Sequence, residues 1–205
     1  FTAKPTPFRH LQFFPDMAPV WDWMRGQLDG LDAAESLNLF GYTGLGSLAL
    51  SRHGKVTHVD ASKKSVAQAR ENAALSGMTD RPIRWLVDDA AKFTAREVRR
   101  ERRYDGIILD PPKFGRGPDG EVWRLEEHLP GLIADCARLL DGESRFLFLT
   151  VYAVRMSSLA IAGLLEEALG ALPGQIEHGD LAVREEGEGG RLLPTAIFAR
   201  WSNPG

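Results

Sequence analysis

One cysteine stands among 205 residues, and that scarcity removes two classes of protein. A disulfide framework needs pairs of thiols, and a cysteine-built zinc site needs several thiolates. Cys136 lies in Leu132-Ile-Ala-Asp-Cys-Ala-Arg-Leu-Leu140, an apolar helical pattern, and reads as a buried structural thiol. No apolar run approaches the roughly 18 residues that a membrane-spanning helix requires, so no membrane partner is expected. Positive charge is not in excess: 25 Lys and Arg against 28 Asp and Glu leave a formal net charge of −3. A bulk electrostatic grip on nucleic acid is therefore not evident, and a local basic face would have to supply one. The opening Phe1-Thr-Ala-Lys-Pro-Thr-Pro-Phe8 lacks the basic, apolar, small-residue order of a secretory signal, and a cytoplasmic protein is expected. It opens on Phe1 in place of Met, which leaves open a longer parent chain with an upstream domain.

What the chain does contain is an alternation of short β-type runs with longer helical patterns, the signature of βαβ units around a mostly parallel sheet. Strands are expected at Ser36–Phe40, Lys55–Val59, Ile83–Val87, Asp105–Asp110 and Ser144–Thr150. Helices are expected at Gly46–Arg52, from the N-cap Ser62 to about Ser76 with Gly77 as its stop, and at Ala90–Arg103, Leu125–Leu140 and Leu159–Leu172. Pro111-Pro112 cannot donate ladder hydrogen bonds, so the fourth strand must hand over to a loop, Lys113–Gly120. Two last strands, Gln175–Arg184 and Leu192–Trp201, flank a polar turn and read as an antiparallel hairpin. The expected architecture is an α/β, Rossmann-like fold with that hairpin at its C-terminal end. Residues 1–30 form an arm and helix packed on a domain spanning 31–205.

In open α/β sheets ligands bind beyond the carboxyl ends of the strands, and three strand ends carry the right chemistry. Gly41, Gly44 and Gly46 permit tight turns close to a ligand at the start of a helix. Asp60 stands 19 residues beyond Gly41, near the spacing of about 20 at which an acid accepts ribose hydroxyls. Asp88-Asp89-Ala90 puts a further acid where an adenine amino group can donate. Together these outline a nucleoside site. The glycine order is G-x-x-G-x-G, not the G-x-G-x-x-G of dinucleotide sites, which argues against a pyrophosphate cradle. S-adenosylmethionine carries no phosphate and needs room for an amino-acid tail and a sulfonium.

Four segments carry a family resemblance: Asn38-Leu-Phe-Gly-Tyr-Thr-Gly44, Val59-Asp-Ala-Ser62, Ala67-Gln-Ala-Arg-Glu-Asn72 and Leu109-Asp-Pro-Pro-Lys-Phe114. They resemble the class I, S-adenosylmethionine-dependent methyltransferases of bacterial large-subunit ribosomal RNA that modify cytosine C5 or guanine N7. The similarity runs from about Phe13 to Tyr152. It implies that Phe40, Gly41, Tyr42, Thr43 and Gly44 wrap the methionine part of the cofactor, that Asp60 with Ala61 and Ser62 holds the ribose, and that Asp89 and Ala90 meet the adenine. An RNA substrate, ribosomal RNA first among them, is implied as partner. Asp88 is either a second adenine contact or a solvated strand-end carboxylate.

The same resemblance puts the target base at Asp110-Pro111-Pro112-Lys113-Phe114. Asp110 and the rigid carbonyls beside it can accept hydrogen bonds from an exocyclic amine, and Phe114 can stack on a flipped base. Lys113 contacts phosphate or is merely solvated. Cytosine-C5 enzymes of this family attack C6 with a cysteine at the end of the fifth strand, but here that stretch reads Thr150-Val-Tyr-Ala-Val154. A nitrogen acceptor is therefore favoured over cysteine-dependent C5 chemistry. Methylation of a protein or small molecule, or a cofactor-retaining RNA-binding module without activity, remain the alternatives. Tyr152, Trp123 and His128 border the acceptor channel or simply pack. In the arm, Phe14 or Asp16 touches the methionine end or forms a hydrophobic clasp. Arg96, Arg99, Arg100 and Arg103 fall at helical spacing and are expected to share one face, able to grip phosphates or only to be solvated.

Overall fold

The computed structural model describes residues 14–152, 154–187 and 189–203. Residues 1–13 of the expected arm, and Ala153 beside the expected thiol position, lie outside the described residues. A single 3-10 turn, Pro15–Met17, leads into α1 (Ala18–Leu28). Then follow β1 (Ala34–Leu39), α2 (Leu45–Leu50), β2 (Gly54–Asp60), α3 (Lys63–Leu75), β3 (Ile83–Val87), α4 (Ala90–Arg99) and β4 (Gly106–Leu109). The second half runs β5 (Phe114–Arg116), β6 (Val122–Arg124), α5 (Leu125–Ala137), β7 (Phe146–Val151), α6 (Ser158–Leu169), β8 (Gln175–Arg184) and β9 (Leu192–Ser202).

Seven strands form one sheet in the order β3-β2-β1-β4-β7-β9-β8. The first five are parallel, and β9 enters antiparallel to both β7 and β8. The Rossmann-like sheet and the C-terminal hairpin thus follow the sequence expectation, with β9, not β8, against the parallel half. Strands β4 and β7 are buried at every residue because helices cover both faces, which is why they read as unbroken apolar runs. Period-two alternation divides their side chains between two cores. Ile107, Leu109, Leu147 and Leu149 meet Phe93, Leu129, Ile133 and Leu165 from α4, α5 and α6. Ile108, Phe146 and Phe148 meet Val20, Met24 and Leu28 of α1 and Leu50 of α2 on the opposite face. Met24 and Leu28 are fully buried, and at about 1.5–3 kcal/mol per large apolar side chain they bind α1 to the domain.

Helix starts obey local chemistry. Ser62 Oγ accepts from the Ser65 N–H at 3.2 Å, as its cap position predicts, and Asp89 Oδ1 caps α4 by accepting from the Lys92 N–H at 2.9 Å. Several boundaries move. Phe40 leaves the first strand with φ 57°, because the chain must turn back there over the strand end. Helix α4 stops at Arg99, and Glu101 at φ 54° takes Arg103 off the helical face it was expected to share. Arg96 pairs with Asp88, Arg100 with Glu97 at 2.9 Å and Arg103 with Asp141 at 3.8 Å, so no continuous cationic stripe results. Within the expected loop Lys113–Gly120 the chain already forms β5, half of a small hairpin with β6. No helix among the described residues is long and apolar enough to cross a membrane.

Candidate active site

Strand register aligns the chemistry. Leu39 pairs with Val59 and with Leu109, Asp60 with Val87, and Leu109 with Leu149, so the residues closing β1, β2, β3, β4 and β7 form one row along the carboxyl edge of the sheet. Over that row lies a cleft of about 310 Å³, within the size range of small-molecule sites. Phe40, Tyr42, Asp60, Ala61, Ser62, Asp88, Asp89, Ala90 and Asp110 line it, with Pro112, Gly115, Arg116, Trp123 and Tyr152 closing the other side. A smaller chamber of about 50 Å³ lies between Gly41, Thr43, Gly44 and the side chains of Trp21 and Asn38. The two share Phe14, Phe40, Tyr42 and Asp110 as walls.

The turn between β1 and α2 takes its shape from left-handed backbone at Phe40, Tyr42 and Gly44. At Gly44, φ is +83° and an added Cβ would stand 2.7 Å from the Ala69 methyl; at Gly41 a Cβ would enter the His58 ring at 2.4 Å. Close approach therefore dictates both glycines, and at Gly44 the left-handed conformation does so as well. Below them His58 is buried, its Nδ1 3.0 Å from Ser47 Oγ, and burial pushes its pKa down to about 4, so the imidazole is neutral at pH 7. Asn38 Nδ2 donates to the same Ser47 Oγ at 2.9 Å, and Asn72 Nδ2 donates to the Thr43 carbonyl at 3.0 Å, tying the turn to α3.

Asp60 binds the turn from beneath. Its Oδ2 accepts from the Tyr42 N–H and its Oδ1 from the Ser62 N–H, both at 2.9 Å. A carboxylate offers about four lone-pair sites, so two backbone donors leave acceptor capacity for a diol. Burial raises the Asp60 pKa, and the two backbone hydrogen bonds oppose that rise. Asp88 is committed to protein: Oδ1 accepts from the Asp89 N–H at 2.9 Å and Oδ2 from Arg96. Asp89 spends Oδ1 on its cap, which places Ala90 at the first turn of α4.

Asp110 follows β4, and Thr150 of β7 donates to its Oδ1 at 2.6 Å. Burial pushes the Asp110 pKa up to about 6; the Thr150 hydrogen bond pulls it down and the charge of Asp16 pushes it further up. Asp16 itself accepts from Thr195 Oγ1 at 2.5 Å, fastening the first described turn to β9. Tyr152 and Phe14 lie on the rim of the cleft, each a little over a third exposed, and Phe14 is 6.2 Å from the Tyr42 ring.

The acceptor motif divides. Asp110 and Pro112 line the cleft, while Pro111 is buried beneath it. Lys113 pairs with Glu126 at 3.8 Å, and Phe114 is 64% exposed on the outer face of the hairpin. Phe114 thus does not stand where a base in the cleft would stack. Pairing is the reason: Gly115 lies opposite Trp123, these two face the cleft, and alternation turns Phe114 outward. Trp123, weighed between channel and packing, does both. It is buried, donates from Nε1 to the Pro112 carbonyl at 2.7 Å, and sits 5.0 Å from the Phe40 ring. His128 serves its own helix start, its Nδ1 accepting from the Arg124 N–H at 3.0 Å. Residues that pattern reading missed are Thr150, Gly115 and Arg116. Pro118-Asp119-Gly120 was the available signal for the hairpin, since that triplet makes a tight turn and Gly120 takes φ +93°.

A nucleoside-sized cleft on the carboxyl edge, an acid with spare acceptor sites after β2, and a seventh strand inserted antiparallel beside the last parallel one decide the architecture. The chain has the fold of a class I methyltransferase. A solved S-adenosylmethionine-dependent methyltransferase from Agrobacterium tumefaciens is 44% identical over 96% of this chain, with a TM-score of 0.92, and the chain covers 65% of it. Ribosomal RNA large subunit methyltransferase I of Alteromonas mediterranea is 39% identical over 83 residues, 40% of this chain and 21% of that protein. Ribosomal RNA large subunit methyltransferase K/L of Shewanella baltica is 31% identical over 115 residues, 55% of this chain and 16% of that protein. The chain therefore spans about a fifth or less of these two curated relatives. A family described as conserved hypothetical protein 95 matches residues 18–118, which in this methyltransferase fold run from the start of α1 through the first half of the small hairpin.

Proposed function

We propose that this chain is the methyltransferase domain, residues 31–205 with an arm over 1–30, of an S-adenosylmethionine-dependent enzyme that methylates a base nitrogen in ribosomal RNA. The observation that carries this reading is the shared wall: Asp110 borders both the chamber under the glycine turn and the open cleft. A donor tail and an acceptor base entering from opposite sides would meet beside its carboxylate. The donor set fits S-adenosylmethionine. Asp60 has acceptor capacity for ribose hydroxyls, Asp89 and Ala90 lie where adenine would reach the start of α4, and the turn Phe40–Gly44 borders a chamber with no basic side chain among the described residues that line it. When bound, this cofactor supplies a methyl group already activated by its sulfonium.

The chain's own task is then to position and desolvate the acceptor. Asp110 and the Pro112 region accept hydrogen bonds from an exocyclic amine, and the Asp110 carboxylate receives the proton that the nitrogen sheds. Trp123 and Phe40 supply apolar wall, and Tyr152 borders the entrance. A nitrogen acceptor is supported by the thiol inventory: Cys136 is fully buried in α5, and burial pushes its pKa well up, away from any thiolate. A base-modifying role in ribosome maturation implies a cytoplasmic protein.

Incubating the protein with methyl-labelled S-adenosylmethionine and ribosomal RNA from cells lacking it is the test. Nucleoside mass mapping is expected to find label in a nitrogen-methylated base. Label in 5-methylcytosine would overturn the nitrogen assignment, and unlabelled RNA beside a labelled protein or small molecule would overturn the RNA assignment. Calorimetry should detect S-adenosylmethionine binding and no NAD binding.

A further inference from the structure

The β5–β6 hairpin presents two different faces. Inward, Gly115 and Trp123 close the cleft. Outward, register sets Phe114 opposite Arg124 and Arg116 opposite Val122, and all four side chains are exposed. The inner face is held firmly: Trp123 Nε1 bonds the Pro112 carbonyl, the Leu125 N–H bonds the Lys113 carbonyl at 3.0 Å, and Lys92 pairs with Glu121 beside the turn. An anchored mount thus displays an aromatic ring that is 64% exposed. Val122, 51% exposed, shares that outer face with Phe114.

Charge around the ring narrows the partner. Lys113 Nζ lies 5.8 Å from the Phe114 ring centroid, and Arg124 and Arg116 flank it across and along the strand. Lys113 and Arg124 are partly offset by Glu126 and Glu127, at 3.8 and 2.9 Å. Arg116 is different: among the described residues no carboxylate pairs with it, and it lines both the cleft and the outer face of the hairpin. An exposed aromatic with a cation one step along the strand, at the mouth of the cleft, has the chemistry of a single-strand nucleic-acid contact: a π face for a base and a charge for a phosphate.

We infer that the outer face of this hairpin binds the nucleotide next to the target base, with Phe114 stacking on that neighbouring base and Arg116 contacting the phosphate that joins it to the nucleotide in the cleft. This rests on the RNA reading above and assigns Phe114 to the flanking nucleotide, not to the target. The surface makes the cleft selective for unpaired RNA, because a base held in a duplex stack offers no free face.

Fluorescence anisotropy with a single-stranded RNA of about ten nucleotides tests this in the presence of S-adenosylmethionine. Phe114→Ala is expected to weaken binding roughly 5- to 150-fold, the equivalent of about 1–3 kcal/mol per stacked base, while Phe114→Trp retains it. Arg116→Gln should reduce the slope of log K against log salt by about 0.7, one phosphate contact on a single strand. Calorimetric affinity for S-adenosylmethionine should be unchanged in the Phe114 variants, and an unshifted thermal melt should report an intact fold in Arg116→Gln. If wild type binds and methylates RNA but both Phe114→Ala and Arg116→Gln match its affinity and salt slope, the hairpin assignment is overturned and the RNA reading stands. If wild type binds no RNA, both fall together.

Discussion

Asp110→Asn should abolish turnover and at the same time stabilise the fold, by an amount that depends on pH. In the folded chain burial pushes the Asp110 pKa up to about 6, against a reference of 3.8. The folded state therefore holds a proton that the unfolded state has lost between pH about 4 and 6, and stability falls as pH rises through that window. At 1.36 kcal/mol per pKa unit the ionised carboxylate costs about 3 kcal/mol at pH 8 but only about 1 kcal/mol at pH 4.5, where most folded molecules carry the neutral acid. Asparagine is neutral at both values and its side-chain carbonyl can still accept from Thr150. The variant's advantage over wild type should grow by about 2 kcal/mol between pH 4.5 and pH 8, which for a chain of this size is roughly 4–8 °C in the difference of Tm. Paired thermal melts of the two proteins at each pH measure this difference and cancel the titration of every other group. An equal Tm difference at both pH values, or a variant less stable than wild type at pH 8, would refute the claim that a desolvated charge is stored beside the acceptor. Affinity for S-adenosylmethionine should stay within a few-fold, since Asp60 and the glycine turn are untouched.

Asp60→Ala removes the acceptor of the Tyr42 and Ser62 N–H groups together with the expected ribose contact, and calorimetry should show cofactor affinity falling by about 10- to 100-fold, consistent with charge-assisted bonds of about 1.5–3 kcal/mol. Unaltered affinity would remove Asp60 from the site. Cys136→Ala should leave turnover within about twofold while costing about 1–2 kcal/mol of stability through a small core cavity; a dead variant, or a covalent adduct between wild type and RNA containing 5-fluorocytidine, would reinstate cysteine chemistry. Trp123→Ala deletes both the Pro112 hydrogen bond and the packing on Phe40, with an expected loss of about 3–5 kcal/mol in chemical denaturation and a raised KM for RNA; a raised KM for the cofactor alone would place Trp123 on the donor side.

The donor half of the site is legible in sequence because its determinants are local. Gly44 answers to a left-handed backbone, Ser62 and Asp89 to helix starts, and Asp60 to the end of a strand, all of which read from neighbouring residues, whereas the close approaches of Gly41 to His58 and of Gly44 to Ala69 come from the fold. Buried parallel strands announce themselves as apolar runs, so the carboxyl edge could be located before any register was known. The contacts that tune Asp110 are of another kind. Thr150 is 40 residues away and reaches it only because β4 and β7 are neighbours with Leu109 beside Leu149. Asp16 acts on it from the other end of the chain, fastened to a strand 179 residues on. Arg103 shows the reverse failure, in which a good helical spacing is cut by one left-handed residue, Glu101.

Phe114 shows most clearly where pattern reading stops and pairing takes over. The motif places an aromatic two residues after Pro112, within reach of either side of the cleft wall, and nothing in Asp110–Phe114 says which. The decision is made nine residues later by Trp123, whose ring packs against Phe40 and whose indole N–H bonds the Pro112 carbonyl. Once Trp123 faces inward, its partner Gly115 must as well, and alternation leaves Phe114 outward, with Arg116 on the same strand face but still reaching the cleft mouth. At Gly115 an added Cβ would stand in ordinary contact, 3.4 Å from Pro112 and 3.7 Å from Trp123, on the inner face. The ring that the resemblance assigns to the target base is thus committed to the surface by a tryptophan outside the motif. That same commitment is what makes it available to a neighbouring nucleotide.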